Sequence, residues 1–303
     1  MHNELVVKDN ALINASYNLE VTEQRLVLLS IIKARDTGQG ITAESKLRIY
    51  ASDYAKQFHV TKESAYEALK NAVGNLFNRQ FSFKDYSIEG KETVTKSRWV
   101  SQIAYVDDLA VLEVIFAPAV VPLITKLEKH FTSYQLKQVS QLTSKYSIRL
   151  YEMLIAWRER GKTPVLNLQE FRGRLGLSDN EYSAMNDFKK RVLSPAIEQI
   201  NKLTDINVDY EQFKSGRSIT GLQFSFTIKK IFHTEKNIEQ LTLSEKQITF
   251  FAHKLAYDDA FASKYAKVGE EYSDLEKRLV KKLTDSSFIE KHSKDLERVG
   301  FKI

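Results

Sequence analysis

Two stretches of the sequence repeat one pattern of apolar, polar and acidic residues, and this repeat constrains the fold most strongly. Residues 49–61 align with residues 166–178 at an offset of 117, and every compared position keeps its class. The matched pairs are Ile49/Leu166, Ser52/Gln169, Asp53/Glu170, Tyr54/Phe171, Phe58/Leu175, Val60/Leu177 and Thr61/Ser178. Apolar residues at these spacings pack the first helix of a helix-turn-helix against the second. The repeat therefore predicts two copies of one folding unit.

Both halves of the chain show the same predicted order of elements: helix, strand, helix, helix and β-hairpin. In the first half these are residues 20–35, 47–50, 52–58 and 61–78, with strands at 81–83, 99–105 and 109–116 around a polar turn at 89–98. In the second half they are residues 143–160, 165–166, 167–175 and 187–203, with strands at 206–213 and 221–229. This order predicts an α+β fold with two tandem winged-helix domains, residues 1–129 and 130–232.

The last part of the chain, residues 233–303, has a different character. Residues Thr242 and Glu245 have the spacing of a helical capping box, and apolar residues then recur at helical intervals. Its charges are balanced, with 13 basic and 13 acidic residues. The pattern predicts a charged helical extension, either a packed appendage or a solvated helical tail.

The net charge of +6 is concentrated in one part of the sequence. Residues 1–129 hold 16 basic and 16 acidic residues, whereas residues 130–232 hold 16 basic and 10 acidic residues. A localised positive excess is typical of a surface that meets phosphates, and a solvated basic face is the alternative. The charge distribution therefore favours the second domain as the main DNA reader.

Several classes of protein and site are excluded by what the sequence lacks. There is no cysteine, so no disulfide or thiolate metal site forms, which suits a reducing cytoplasm. The start of the chain does not resemble a signal peptide, and no apolar run is long enough for a membrane helix.

The six histidines are isolated, which argues against the metal site of a rolling-circle relaxase. Gly161-Lys-Thr163 lacks the earlier glycine of a phosphate-binding loop and follows a helix instead of a strand. We predict a cytoplasmic protein that is not an enzyme and uses no metal or cofactor.

Three stretches of the sequence resemble the plasmid replication initiators of the Rep_3 type, which act on repeated DNA sites called iterons. They are residues 7–26, residues 144–152 with Ser-Lys-Tyr-Ser-Ile-Arg-Leu-Tyr-Glu, and residues 187–226, which include Lys-Lys-Arg-Val-Leu and a basic hairpin. The resemblance spans about residues 7–230 and stops before the extension. It implies a monomer that binds double-stranded iterons with both domains to start replication. It also implies a dimer that represses its own gene at an operator, and contacts with the host initiator and replicative helicase.

Candidate DNA contacts in the second domain lie on its second helix, its hairpin and its first helix. They are Lys189, Lys190, Arg191, Lys214, Arg217, Lys145 and Arg149. The second helix of such a motif enters the major groove, where Lys and Arg reach guanine edges or phosphates. Lys189, Lys190 and Arg191 are expected to point about 100° apart, so that Lys190 and Arg191 flank the buried stripe on opposite sides. A soluble turn is the alternative for the hairpin cations, and an ion pair with Glu152, one turn away, is the alternative for Arg149.

Candidate contacts in the first domain lie on the helix that begins at Thr61: Lys62, Ser64, Lys70 and Asn71. Glu63 and Glu67 balance its charge, so this helix is expected to be a secondary DNA contact or the part that rearranges into the dimer interface. A winged-helix transcriptional repressor without initiator activity is the alternative function, since it would use the same domains.

Overall fold

The computed structural model describes residues 4–125, 130–229, 243, 245–267 and 269–301. The chain forms two compact units that divide near residue 230, and each is considered by itself. Among the described helices, none is long and apolar enough to cross a membrane.

The first half of the first unit contains the elements predicted for a winged helix together with an additional hairpin. Its elements are β1 (Leu5–Asp9), α1 (Asn10–Ile13), β2 (Ser16–Tyr17), α2 (Val21–Thr37), β3 (Leu47–Tyr50), α3 (Ala51–Phe58), α4 (Lys62–Asn78), β4 (Gln80–Tyr86), β5 (Glu92–Arg98), β6 (Val100–Val106), β7 (Val111–Phe116) and α5 (Val120–Thr125). A capping box between Glu20 and Glu23 starts α2, and Gly38, with φ of 69°, ends it. Thr61 accepts a hydrogen bond from the Ser64 amide and so caps α4, which begins where the sequence predicts.

The second half of this unit repeats the arrangement. Its elements are β8 (Phe131–Gln135), α6 (Lys137–Ser140), α7 (Lys145–Ile155), β9 (Leu166–Asn167), α8 (Leu168–Arg174), α9 (Met185–Phe188), a π-helical turn (Lys189–Leu193), α10 (Ser194–Leu203), β10 (Ile206–Ser215) and β11 (Ser218–Ile228). The segment α9, π-helical turn and α10 is continuous and is called the recognition helix below. Asn167 accepts hydrogen bonds from the first amides of α8 and caps that helix.

The sheet topology confirms the internal repeat. In the first half, β3 pairs with β7, which pairs with β6; in the second half, β9 pairs with β11, which pairs with β10, and all pairs are antiparallel. The matched aromatic residues Tyr54 and Phe171 are both buried in the helix that follows the first strand of the sheet. Each half is therefore a winged helix with the same strand order.

One local prediction, the polar turn of the first half, needs correction. The predicted polar turn at residues 89–98 is largely the strand β5, which pairs along its whole length with β4. A strand of polar, exposed residues has no apolar alternation to reveal it, and here the ladder to β4 stabilises it.

The two winged helices of the first unit share one hydrophobic core and a joint strand pair. β1, at the start of the chain, pairs with β8, which leads into the second winged helix. Buried residues of both halves, from Val6 to Phe226, form a single cluster. Gly176 of the second half packs directly on the first half, since a Cβ at Gly176 would lie 2.3 Å from the carbonyl oxygen of Tyr17. The relative position of the two winged helices is therefore set by close packing.

The second unit is a helical appendage with a core of its own. Its helices are α11 (Glu245–Ala256), α12 (Asp259–Tyr265), α13 (Tyr272–Lys282), α14 (Ser286–Lys291) and α15 (Ser293–Arg298). Leu255, Leu275, Leu279 and Leu283 are fully buried within it. Thr242, the first residue of the predicted capping box, lies outside the described residues. The shared core supports the packed appendage over the solvated tail.

Candidate nucleic-acid interface

The recognition helix presents cations on one side and a buried apolar face on the other. Lys190 and Arg191 are exposed and Lys189 is partly exposed, and no carboxylate of the described residues pairs with any of the three. Phe188, Val192 and Leu193 are at most 1% exposed. Unpaired, outward cations on the second helix of a winged helix are suited to donate to base edges or phosphates.

The backbone that carries these cations is not a regular α-helix. They lie in the π-helical turn, where the Ser194 amide donates to the carbonyl of Lys189, five residues earlier. This turn is wider than an α-helical turn, so the angle between successive side chains is smaller than the roughly 100° expected of a regular α-helix. That Lys190 and Arg191 flank the buried stripe on opposite sides stays a prediction.

The polar start of the recognition helix was not among the predicted contacts. Asn186 is exposed in its first turn, two residues into α9. Asn is the residue that can pair with an adenine edge through two hydrogen bonds. The sequence pattern predicts a helix from residue 187, and this places Asn186 in the preceding loop. The preceding loop is held in place by the buried Arg172, which donates to the carbonyls of Tyr182 and Glu181.

The hairpin between β10 and β11 carries the two predicted wing cations. Lys214 and Arg217 are exposed at its tip, and Gly216 between them has φ of 60°, which favours glycine. Neither cation forms an ion pair with a described residue. The hairpin therefore has the position and charge of a wing that contacts DNA phosphates, and its role stays a prediction.

Arg149, predicted as a DNA contact, is buried at 1% exposure and needs correction. Its guanidinium donates to Glu152 at 2.8 Å, to the carbonyls of Ile13 and Ala15 at 3.0 and 2.8 Å, and to the Tyr17 hydroxyl at 2.6 Å. These contacts agree with the alternative interpretation, in which Arg149 braces the fold. Lys145 lies near the surface, but its ammonium donates to Asn18 at 2.9 Å and Glu20 at 2.7 Å.

Glu152 is the centre of a buried polar cluster that joins the two winged helices. It accepts hydrogen bonds from Lys8 at 2.6 Å, Tyr134 at 2.6 Å, Arg149 at 2.8 Å and Tyr17 at 3.3 Å. Burial alone raises the pKa of Glu152, but the charges of Lys8 and Arg149 outweigh it and lower the pKa to about 2. The carboxylate therefore stays ionised, and its partners come from β1, β2, β8 and α7. The cluster holds the start of the chain against the second winged helix.

The predicted contacts of the first winged helix lie together on α4. Lys62, Ser64, Lys70 and Asn71 are exposed, while Ala65 and Leu69 form the buried side. Lys70 lies 3.3 Å from Asp107, and both side chains are largely exposed. This helix presents fewer unpaired cations than the recognition helix of the second half, and its roles in DNA contact or dimerisation stay predictions.

The described residues contain no group of three or more histidine, aspartate or glutamate side chains that could hold a metal ion.

Comparison with known protein families identifies both halves of the first unit. Residues 5–155 match the family model described as "Initiator Replication protein, WH1", and residues 167–226 match "Initiator Rep protein, WH2". These two matches cover well over half of the chain, and they confirm the tandem winged-helix fold. Neither match extends into the helical appendage.

Individual relatives agree with these matches. An Escherichia coli replication initiation protein is 26% identical over 233 residues, which are 75% of this chain and 71% of that protein. The crystal structure of the Pi initiator protein in complex with iteron DNA shares the fold, with a TM-score of 0.58, 22% identity and coverage of 76% of this chain and 99% of that one. The WH1 domain of MSBI1.176, a replication protein isolated from a multiple sclerosis patient, is 58% identical and covers 42% of this chain and 97% of its own, with a TM-score of 0.35.

The matched family consists of DNA-binding proteins that are not enzymes, which confirms the prediction of a non-enzymatic function. The family models cover both winged helices in order, with the cation-bearing recognition helix inside the WH2 match. The chain therefore belongs to the Rep3 family of initiator replication proteins.

Proposed function

We propose that this chain is a plasmid replication initiator that binds double-stranded iteron repeats at the origin through both of its winged helices. The observation that carries the proposal is the set of exposed cations on the recognition helix and wing, which no described carboxylate neutralises. Such cations attract phosphates and read bases when the helix lies in the major groove. The Pi initiator, which shares the fold, was crystallised with iteron DNA, and this supports the same target class here.

The close packing of the two winged helices supports binding to one continuous site. Gly176 against the Tyr17 carbonyl and the Glu152 cluster hold the two domains at a set spacing. Two recognition helices at a set spacing suit major-groove segments about one helical turn apart, roughly 34–36 Å. We therefore expect tandem repeats of about two helical turns beside the gene, with the second domain as the main reader and α4 as the weaker contact.

The proposal includes autorepression by a dimer in equilibrium with the monomer. The hairpin of β4 and β5 supports self-association through the first domain, because among the described strands β5 pairs only with β4. Tyr86, Ile88 and Val94 of this hairpin are 71%, 103% and 63% exposed. An edge strand with exposed apolar side chains favours pairing with another chain. Contacts with the host initiator and the replicative helicase, and a cytoplasmic location, belong to the same proposal.

A transformation assay tests initiation against repression alone. The gene and its neighbouring repeats are placed on a vector without an origin of its own, and transformants are counted in the host. We expect stable transformants with the unmodified gene and none with the Lys190→Ala/Arg191→Ala variant. If the unmodified protein binds the repeats in a gel-shift assay yet yields no transformants, the chain acts as a repressor and the initiator proposal is wrong.

A further inference from the structure

The recognition helix contains one residue more than a regular α-helix with the same buried face would hold. Phe188 and Leu193 are both 0% exposed although they stand five residues apart. In an α-helix, residues five apart point about 140° away from each other, so both could not face the same core. In the π-helical turn, five residues complete slightly more than one turn, and both side chains reach the core.

Pro195 provides a second reason for the wide turn. It stands at the start of α10, and it has no amide hydrogen to donate to the carbonyl of Arg191, four residues earlier. In a regular α-helix its ring would also meet that carbonyl. The Ser194 amide, just before it, donates to Lys189 in the five-residue pattern. The spacing of the buried residues and the proline therefore both favour the same irregular turn.

The wide turn determines where the exposed cations lie. Lys189, Lys190 and Arg191 all fall within the turn, between Phe188 and Val192, and Lys190 and Arg191 are exposed side by side. In a regular α-helix, successive residues would leave the axis at about 100° steps. The wider turn lowers this step, so the extra residue changes the directions of Lys190 and Arg191 relative to the residues before the turn.

We propose that this π-helical turn is a positioning device for DNA recognition, and that the backbone register of Lys190 and Arg191 contributes to specificity as much as their charges do. The inference rests on the proposed function of the recognition helix. It identifies the extra residue of the turn, rather than a further side chain, as the feature that sets which bases the two cations reach.

Deleting Lys189 should convert the π-helical turn into a regular α-helical turn while the same apolar residues stay buried. After the deletion, Val192 and Leu193 stand three and four residues after Phe188, the spacing of one face of an α-helix. Pro195→Ala is added so that position 195 can donate its amide. The matched control carries Lys189→Ala with Pro195→Ala, which removes the same side chain and the same proline but keeps the backbone residue.

The readout is the ratio of affinities for a duplex that carries the repeats and for an unrelated duplex of equal length. We expect the ratio of the deletion variant to fall about tenfold or more below that of the matched control, the size of a lost base contact, because both variants lack the Lys189 side chain and the proline. Equal ratios for the two variants would overturn the proposal. Circular dichroism and thermal unfolding establish that both are folded.

If the deletion variant does not fold, a double-mutant cycle on Lys190→Ala and Arg191→Ala tests the proposal instead. If the turn directs both cations to one patch of the duplex, their fold-losses in affinity should depart from simple multiplication by about threefold or more. Losses that multiply would overturn the proposal.

Failure of the proposed function gives a different result. In that case the unmodified chain binds repeat and unrelated duplexes with equal affinity, and the inference on the turn fails with it.

Discussion

The ammonium of Lys8 lies 2.6 Å from a carboxylate oxygen of Glu152, and both side chains are at most 2% exposed. The two residues are 144 positions apart, one in the first strand of the chain and the other in the first helix of the second winged helix. Tyr134 and Arg149 complete the hydrogen bonding of the carboxylate. A buried ion pair with satisfied hydrogen bonds holds its elements in one arrangement, and removing one member leaves an uncompensated charge.

We expect Glu152→Gln to destabilise the first unit strongly. It would leave the charges of Lys8 and Arg149 buried without a counter-ion, at a cost of about 3–5 kcal/mol in the free energy of unfolding. Urea unfolding, followed by circular dichroism, measures the loss. Lys70→Ala is the control, because it removes the exposed pair with Asp107 and should cost about 1 kcal/mol or less. Equal effects of the two substitutions would contradict a stabilising role for the cluster.

The same carboxylate predicts an acid dependence of stability. The pKa of Glu152 in the folded protein is about 2, because Lys8 and Arg149 outweigh the effect of burial, whereas an unfolded glutamate titrates near 4.3. A depressed folded pKa means that this contribution is complete above the unfolded pKa and is lost as the pH falls toward 2. We expect the difference in the free energy of unfolding between the unmodified chain and Glu152→Gln to shrink as the pH falls from about 5 to about 2. Urea titrations at several pH values across that range measure this difference. A constant difference would show that Glu152 is not ionised in the folded protein.

Gly176→Ala should separate the effect of backbone conformation from that of close packing. Gly176 and Gly216 have φ of 81° and 60°, so alanine is disfavoured at both by about 1–3 kcal/mol. Only at Gly176 does the new Cβ meet another backbone, the Tyr17 carbonyl of the first winged helix, whereas Gly216 has open space. Thermal unfolding should therefore show a clearly larger loss for Gly176→Ala than for Gly216→Ala. Similar losses would mean that the two winged helices are not closely packed at this point.

Salt titrations should separate base contacts from phosphate contacts. We expect the logarithm of DNA affinity to fall against the logarithm of salt concentration with a slope of roughly −5 or steeper, and Lys214→Ala to reduce the slope by about one. Alanine at Lys189, Lys190 or Arg191 should give either this phosphate pattern or a loss of about 1–3 kcal/mol confined to the specific duplex. At least one of the three should show the second pattern.

The control for these titrations is Lys277→Ala, which removes one exposed cation of the second unit, outside both winged helices, and should leave the affinity and the slope unchanged. A nearly flat salt dependence of the unmodified chain, or three cation variants that bind both duplexes unchanged, would show that the recognition helix does not enter the groove.

Local pattern in the sequence was sufficient to predict the winged helices and the recognition helix. The spacing of Tyr54 and Phe58, repeated by Phe171 and Leu175, records which side of a helix is buried, and this depends mainly on neighbours within one folding unit. Capping residues such as Thr61 act over three positions and are equally visible. The exposure of Lys190 and Arg191 follows from the same periodicity.

Tertiary structure alone decided the role of Arg149, the strand β5 and the π-helical turn of the recognition helix. Arg149 is a charged residue on a helix whose apolar positions the sequence shows, yet the carbonyls that accept its hydrogen bonds belong to Ile13 and Ala15, more than 130 positions away. β5 forms because its backbone pairs with β4 along its whole length. The π-helical turn allows Phe188 and Leu193, five residues apart, both to be buried in the core. Sequence periodicity reports which residues prefer burial, whereas the contacts that satisfy a charge or widen a turn come from segments that meet only in the folded chain.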